Sequence, residues 1–218
     1  MNNLEDLSDR IRESFERQNK TRDEALAQSR NLTRHAARAI RAIHREDAVL
    51  AREHLIEADK LAKALREGLD DDPDLYFSGY AQDALKEYCE AHITVAAILD
   101  EEWPSPEDLQ VEYASYLNGL SEVVGELRRR IMDIMREGHS EEVERLLDVM
   151  DDIYAQLVTM DFPDALTYGL RRRTDIARSI IERTQADVTI SYRQQRLEKT
   201  ILNLSDQLSE IEESDENH

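Results

Sequence analysis

Residues that break helices or cross-link the chain are scarce in this sequence. Its 218 residues include six glycines, four prolines and a single cysteine, Cys89. A lone cysteine excludes an intrachain disulfide and a zinc site built from cysteines. No apolar run approaches the roughly 20 residues that a membrane-spanning helix needs, and the acidic start MNNLEDLSDR shows no signal peptide. We therefore expect a mainly helical, cytoplasmic protein without membrane contact.

Lysine is also scarce, although the chain is highly charged. It has five lysines, 48 acidic residues and a formal net charge of −20. In dilute salt such a charge would repel a phosphate backbone. Surfaces rich in Asp and Glu and poor in Lys are, however, typical of proteins from salt-accumulating halophiles, and at molar salt the Debye length falls to about 3 Å. The composition therefore indicates a halophilic protein and does not exclude a nucleic-acid ligand.

Apolar residues recur every three or four positions through most of the chain, and no alternating strand pattern occurs. There is no P-loop, no dinucleotide-binding glycine motif and no Ser-His-Asp or Cys-His signature of a nucleophile. The periodicity predicts six main helices, which cover about 4–45, 47–67, 74 or 79 to 99, 105–137, 140 to about 161, and 164 onward. We expect a single helical domain over residues 1–207 and an acidic, disordered tail over residues 208–218.

Four arginines of the first predicted helix follow one another at spacings of four, three and four: Arg34, Arg38, Arg41 and Arg45. Such spacings place them on one face of a helix. Two interpretations are open. The arginines either form a solvated face that pairs with acidic neighbours, or they contact the phosphates of a nucleic acid.

Two pairs of carboxylates lie at helical spacing, Glu87 with Glu90 and Glu122 with Glu126. In so acidic a chain, such pairs also arise by chance. Glu90, however, precedes the uncharged run AHITVAAIL, and a buried carboxylate needs a partner, a raised pKa or a metal. Gly119 lies on the face of the second pair, either as a tolerated glycine or as a point of close approach. Oxygen ligands alone would suit Mg²⁺ or Mn²⁺ better than iron.

The residues around both acidic pairs resemble the translin and translin-associated factor X family. The stretch 79–91, GYAQDALKEYCEA, contains the core EYxEA, and 116–129, YLNGLSEVVGELRR, resembles the family helix YLxGhxDhxGELxR, where h is apolar. AREHL at 51–55 and FPDALTYGLRRRTDIARSIIERT at 162–184 also fit the family, the latter resembling its prokaryotic members. The resemblance, to an archaeal-type member, covers residues from about 51 to 189.

The resemblance implies an all-α, translin-like bundle of six to seven helices, several of them long, whose subunits assemble into a hollow barrel. It also implies binding of single-stranded RNA or DNA. The factor X branch is a Mg²⁺-dependent endoribonuclease, whereas plain translin lacks the acidic set and only binds. By position, the metal-binding and catalytic carboxylates would be Glu87, Glu90, Glu122 and Glu126, and Arg129 matches a family arginine. The family commonly has Asp in place of Glu122, so this side chain is one methylene longer.

Three hypotheses follow for the function. The first is a Mg²⁺- or Mn²⁺-dependent endoribonuclease that acts on single-stranded RNA as a homo-oligomer. The second is a single-stranded nucleic-acid-binding protein without nuclease activity, and the third is a non-enzymatic helical scaffold. The complete acidic set favours the first, because a protein that only binds does not need it. The natural RNA, the number of subunits and the presence of a second family chain are left open.

Overall fold

The structure is a computed structural model that describes the backbone of residues 2–216 and the side chains of residues 4–205 and 207. Over that part of the chain it contains nine α-helices and no β-strand, so the prediction of an all-α fold is confirmed. In chain order the helices are α1 (Asn2–His44), α2 (Ala48–Gly68), α3 (Pro73–Tyr76), α4 (Gly79–Leu99), α5 (Pro106–Leu109), α6 (Tyr113–Met135), α7 (Glu141–Leu157), α8 (Asp164–Thr167) and α9 (Leu170–Glu216). Six of them are long, and α3, α5 and α8 are single turns.

Two helices that the sequence predicts as continuous are interrupted. The predicted helix 105–137 breaks after α5, where Gln110 adopts a left-handed conformation with φ 53°. The predicted helix from 164 breaks after α8, where Tyr168 and Gly169 have φ of 48° and 87°. A left-handed residue ends a helix. Of these three residues, only Gly169 indicates a helix end in the sequence, since Gln and Tyr rarely adopt positive φ.

Helix α4 occupies the centre of the bundle. It packs against α1 and α2 on one side and against α6 on the other, and α6 also packs against α7 and α9. The uncharged half of α4 is buried on nearly all sides, including Ile93, Thr94 and Val95. That burial agrees with the prediction from the run AHITVAAIL, and it places the preceding turn, with Glu87 and Glu90, at the boundary of the core.

Gly119 lies at a close contact between α6 and α4. A Cβ atom at this position would lie 2.7 Å from the carbonyl oxygen of Lys86 and 2.9 Å from the Cβ of Cys89. Both distances are shorter than van der Waals contact, so only glycine fits without a shift of one helix. At Gly125, six residues further along α6, an added Cβ would meet nothing within 4 Å. Of the two mid-helix glycines, Gly119 is therefore the close approach and Gly125 the tolerated one.

The first part of α1 and the last described part of α9 are exposed on nearly all sides. Each carries a row of exposed apolar side chains on one face. These are Leu4, Leu7, Ile11 and Phe15 on α1, and Ile190, Leu197, Ile201 and Leu204 on α9. No helix in the described part of the chain is both long enough and apolar enough to cross a membrane.

The division of the chain at residue 207 stays a prediction. The backbone of α9 is helical as far as Glu216. The predicted disordered tail, 208–218, has side chains that lie outside the described residues, and so does the backbone of residues 217 and 218.

The two glycines of α6 form a matched pair for a stability test. We expect Gly119→Ala to lower the free energy of unfolding by about 1–3 kcal/mol, because the added methyl group overpacks the contact with α4. Gly125→Ala should leave stability unchanged or raise it by up to about 1 kcal/mol, because alanine favours the helix and the site is open. Denaturant titrations followed by circular dichroism measure both, and equal effects would contradict the close contact.

Candidate functional site

Three carboxylates converge where α4 and α6 meet. Glu87 and Glu90 come from α4 and Glu122 from α6, and each offers an oxygen atom such that the three lie within 4.8 Å of one another. The contact at Gly119 is responsible, since this residue lies about one turn before Glu122 and abuts the backbone between Lys86 and Glu90. The structure thus brings together three of the four carboxylates that the sequence singles out.

Glu90 is the most buried member of this cluster, with 8% of its surface exposed. Burial raises the pKa of its carboxyl group to about 8, and the nearby charges of Glu122, Glu87 and Glu126 act in the same direction. At neutral pH the group is therefore held in its protonated form by its surroundings. A cation bound between the carboxylates would remove the repulsion that opposes its ionisation.

Glu122 is held by two cationic side chains. Lys86 Nζ donates hydrogen bonds to both of its carboxylate oxygens, at 2.6 and 2.8 Å, and lies 3.3 Å from Glu87 Oε1. Arg173, from α9, donates to Glu122 Oε1. Burial disfavours the Lys86 ammonium, but its bonds and attraction to Glu122 and Glu87 outweigh this and raise the lysine pKa. Lys86 therefore remains charged beside the cluster.

Glu126, the fourth predicted carboxylate, lies one turn further along α6 and has a different partner. Its Oε2 atom is 2.5 Å from Nε2 of His44, at the end of α1, and 3.8 Å from a guanidinium nitrogen of Arg129. The His44 side chain is almost completely buried, with 2% exposed. Glu126 thus contributes charge at the edge of the cluster, and its role as a metal ligand stays a prediction.

The donor set of the cluster fits a hard divalent cation. Mg²⁺ binds carboxylate oxygens at about 2.0–2.1 Å, so two of its ligands lie up to about 4.2 Å apart. The oxygens of Glu87, Glu90 and Glu122 lie within 4.8 Å of one another. Small rotations of these side chains would bring the oxygens to the separation that a shared Mg²⁺ requires. A carboxylate has about four lone-pair positions, so Glu122 retains capacity for a metal beside its two cationic partners.

The arginines predicted to bind nucleic acid are exposed. Arg34, Arg38 and Arg41 are exposed on α1 and Arg45 in the turn that follows it, and none of the four forms a salt bridge with another described residue. Arg129 is about half exposed, beside Glu126. No ion pair in the described part of the chain supports the interpretation that the stripe pairs with acidic neighbours. The phosphate interpretation stays a prediction.

Sequence reasoning missed three residues that contact the carboxylates: Lys86, Arg173 and His44. Lys86 and Arg173 lie inside the stretches 79–91 and 162–184 that resemble the family. The resemblance points to these stretches, but it does not indicate that either residue contacts Glu122. His44 carries no such signal, because it is 82 residues away from Glu126 in the chain.

Neighbours of the acidic residues on α4 belong to the core. Burial raises the pKa of the Cys89 thiol to about 12, so it is protonated and unsuited to act as a nucleophile. The Tyr88 hydroxyl donates to Asp59 Oδ1 at 2.7 Å, and His92 Nε2 lies 2.9 Å from the same oxygen. These contacts fasten α4 to α2 on the side away from the carboxylates.

Comparisons with known proteins agree with this architecture. An uncharacterized protein of Methanocaldococcus jannaschii, MJ0175, is 34% identical over 169 residues, which cover 77% of this chain and 74% of that protein. AfC3PO, an archaeal protein of the translin and translin-associated factor X type, was solved alone and in a complex with duplex RNA. Both of its structures match with a TM-score of 0.80 and 34% identity, and they cover 87% of this chain and 97–98% of AfC3PO.

Two further comparisons concern the fold and the family models. The structure of apo-NeC3PO has a TM-score of 0.77 at 24% identity, with coverage of 84% of this chain and 96% of that one, and shows the same fold. No family model matches the chain.

The fold and the site define an all-α helix bundle with a carboxylate cluster between two central helices. This chain belongs to the translin and translin-associated factor X family, as a member of the archaeal type.

The raised pKa of Glu90 predicts a pH dependence of stability without metal. Between its ordinary pKa of 4.5 and about 8, the carboxyl is ionised in the unfolded chain and protonated in the folded one. The folded state binds more protons, so this group destabilises the protein as pH rises through that window. One pKa unit corresponds to about 1.4 kcal/mol, and each kcal/mol to roughly 2–4 °C in Tm.

Glu90→Gln, which cannot ionise, should therefore gain Tm relative to the wild type as pH increases from 5 to 9 in EDTA. Glu102→Gln, an exposed carboxylate on the loop after α4, is the control and should show a constant difference. Parallel wild-type and Glu90→Gln curves in differential scanning calorimetry would contradict the assignment.

Proposed function

We propose that this protein is a divalent-metal-dependent endoribonuclease that binds single-stranded RNA and acts as a homo-oligomer. The observation that carries the proposal is the convergence of Glu87, Glu90 and Glu122 within 4.8 Å, with a buried carboxylate among them. Catalytic sites are where burial and like charges are combined to shift pKa values in this way. Mg²⁺ or Mn²⁺ is the cofactor that suits an all-oxygen site.

The residues divide into ligands and supports. Glu87, Glu90 and Glu122 would hold the ion, which when bound lowers the pKa of water and neutralises phosphate charge. Lys86 and Arg173 orient the carboxylate of Glu122 and limit the repulsion within the cluster. His44 holds Glu126 at the edge, and Arg129, whose guanidinium is exposed, would offset charge on an RNA phosphate.

A second candidate is an RNA-binding protein without nuclease activity. The observation that favours it is the ion pairing of Glu122 with Lys86 and Arg173, which satisfies this carboxylate without a metal. Glu122 is also the position where the family commonly has Asp, so its geometry differs from the family pattern. The two candidates share RNA binding and differ only in whether the cluster takes up a cation.

RNA is the nucleic acid that the comparisons favour. AfC3PO, at 34% identity, was solved with duplex RNA. The resemblance noted above implies single strands, so the strand preference of this chain has to be measured with both forms. Binding should be tested at molar KCl, because the charge of −20 indicates a protein adapted to high salt.

Substitution in the cluster tests the nuclease proposal. Labelled single-stranded and duplex RNA are incubated with Mg²⁺, Mn²⁺ or EDTA. We expect the wild type to cleave single-stranded RNA and EDTA to abolish this cleavage. Glu87→Gln and Glu90→Gln should each lower the cleavage rate by about 100-fold or more, since each removes a metal ligand. RNA affinity in EDTA should be retained.

The control Glu102→Gln changes an exposed carboxylate outside the cluster and should cleave at the wild-type rate. Binding without metal-dependent cleavage would overturn the nuclease and leave the second candidate. No binding to either form of RNA would leave only the helical scaffold.

The exposed apolar rows of α1 and α9 support the proposed homo-oligomer. Eight large apolar side chains in two rows are unusual on a monomer surface. The segment of α1 that carries its apolar row, residues 4–17, has five acidic and three basic side chains. The corresponding segment of α9, residues 190–205, has three basic side chains and one acidic side chain. The two segments are complementary in charge as well as apolar, which favours contact between copies of the chain.

We expect the double substitution Leu197→Gln/Ile201→Gln to lower the oligomer mass, because it places two amides in the apolar row of α9. Val49→Gln, an exposed apolar residue at the start of α2, should leave the mass unchanged. Sedimentation velocity over a range of concentrations measures both, and an unaltered assembly in the double variant would exclude α9 from the interface.

A further inference from the structure

The turn between α8 and α9 carries an exposed aromatic side chain. Tyr168 follows directly after α8, and 57% of its surface is exposed. Its hydroxyl forms no hydrogen bond within the described part of the chain. The ring is therefore accessible to a ligand.

Two hydrogen bonds tie this turn to α6, one on each side of Tyr168. Asn118 Nδ2 donates to the carbonyl oxygen of Thr167 at 2.9 Å, and Arg173 donates to Glu122 Oε1. Asn118 and Glu122 are four residues apart, which is about 6 Å along a helix. Both ends of the segment 168–172 are therefore fastened within one turn of the carboxylate cluster.

A small polar pocket links the tyrosine to the cluster. Tyr168 lines it together with Lys86, Arg173 and the exposed Asp83. Lys86 and Arg173 are the two residues that bind the carboxylate of Glu122. The pocket has a volume of about 40 Å³, room for about one water molecule. A nucleobase is too large to enter it and would lie against the exposed ring.

The backbone of Tyr168 has a conformation that tyrosine rarely adopts. Its φ of 48° lies in the left-handed region, and the turn is fixed by hydrogen bonds from Tyr168 N to Asp164 O at 2.8 Å and from Gly169 N to Asp164 Oδ1 at 2.6 Å. Glycine or asparagine would end α8 at a lower cost, and the neighbouring Leu170, not Tyr168, fills the core. A strained residue that adds nothing to the core points to a functional contact of its side chain.

Stacking on an aromatic ring suits RNA binding by this chain. Bases of single-stranded RNA stack on exposed tyrosine rings. Stacking depends on the surface of the ring and not on charge, so a net charge of −20 does not oppose it and molar salt does not screen it. The segment that presents the ring, residues 164–173, has one acidic and three basic side chains, so it does not itself repel a phosphate backbone.

We propose that Tyr168 is a base-stacking residue that holds a nucleotide of the RNA strand beside the carboxylate cluster. Stacked nucleotides are about 3.4 Å apart, so 6 Å along α6 corresponds to a base within about two nucleotides of the phosphate at the cluster. The proposal rests on the RNA binding of the proposed function. It goes beyond that function by assigning the residue that places the strand relative to the site of cleavage.

The first test measures binding of labelled single-stranded RNA to the full chain by fluorescence anisotropy in EDTA, from 0.5 to 3 M KCl. Tyr168→Leu should weaken binding by about 5-fold or more, the effect of one lost base stack, and by the same factor at every salt concentration. Tyr168→Phe keeps the ring and should bind like the wild type. Circular dichroism confirms that each variant is folded.

Phe162→Leu is the matched control. Phe162 is also an exposed aromatic residue of the connection between α7 and α9, with 60% of its surface exposed, but it does not line the pocket. Its substitution should leave RNA affinity unchanged. Wild-type affinity in Tyr168→Leu, an equal loss in Phe162→Leu, or a loss in Tyr168→Phe as large as that in Tyr168→Leu would overturn the proposal. A loss that disappears at high salt would also overturn it, because it would indicate a contact between charges.

A second test places the stacked base relative to the cleavage site. An RNA with one abasic nucleotide is incubated with Mg²⁺ and compared with the intact RNA. The wild type should cleave the phosphates within about two nucleotides of the abasic position more slowly than the same phosphates of the intact strand. In Tyr168→Leu this difference should vanish, because no stack is left to lose. The same local difference in both proteins would contradict the assignment.

An exposed tyrosine can also contact a second copy of the chain. Sedimentation velocity should give the same assembly mass for Tyr168→Leu and the wild type, and a lower mass in the variant would overturn the proposal in favour of a subunit contact. The outcome for the proposed function is separate. A wild type that binds RNA without cleaving it contradicts the nuclease, while the anisotropy measurements still decide the role of Tyr168. A wild type that binds no RNA contradicts both.

Discussion

The close contact between α4 and α6 is the constraint on which the candidate site depends. At Gly119 the backbone of α6 reaches the backbone of α4, because no Cβ separates them. The contact lies between Lys86 and Glu90, so the acidic turn of α4 faces Glu122. A larger residue at 119 would move the helices apart and separate the three carboxylates. The same contact forces Glu90 into a setting where its ionisation is opposed by burial and by its neighbours.

The carboxylates of the site are held by side chains from α4, α9 and α1. Lys86 lies on α4 itself, Arg173 arrives from α9 and His44 from α1. Four helices therefore meet at one small group of carboxylates. These contacts limit the repulsion among the carboxylates and hold Glu122 oriented. The arrangement also leaves two candidate functions, because Lys86 and Arg173 satisfy Glu122 without a metal, although the carboxylate retains capacity for one.

The sequence by itself determined the helical class, most of the long helices and the acidic pairs, because apolar periodicity and motif letters are local properties. It predicted the burial around Glu90 from an uncharged run, and it pointed to Gly119 without deciding between close approach and tolerance. Only the tertiary structure decided that Gly119 is the contact and Gly125 is not, and that Glu126 is bound by His44. It also decided where Lys86 and Arg173 lie, and that the helices at 110 and 168 break. These outcomes depend on which helix faces meet, and partners 36 to 82 residues apart leave no spacing signal in the chain.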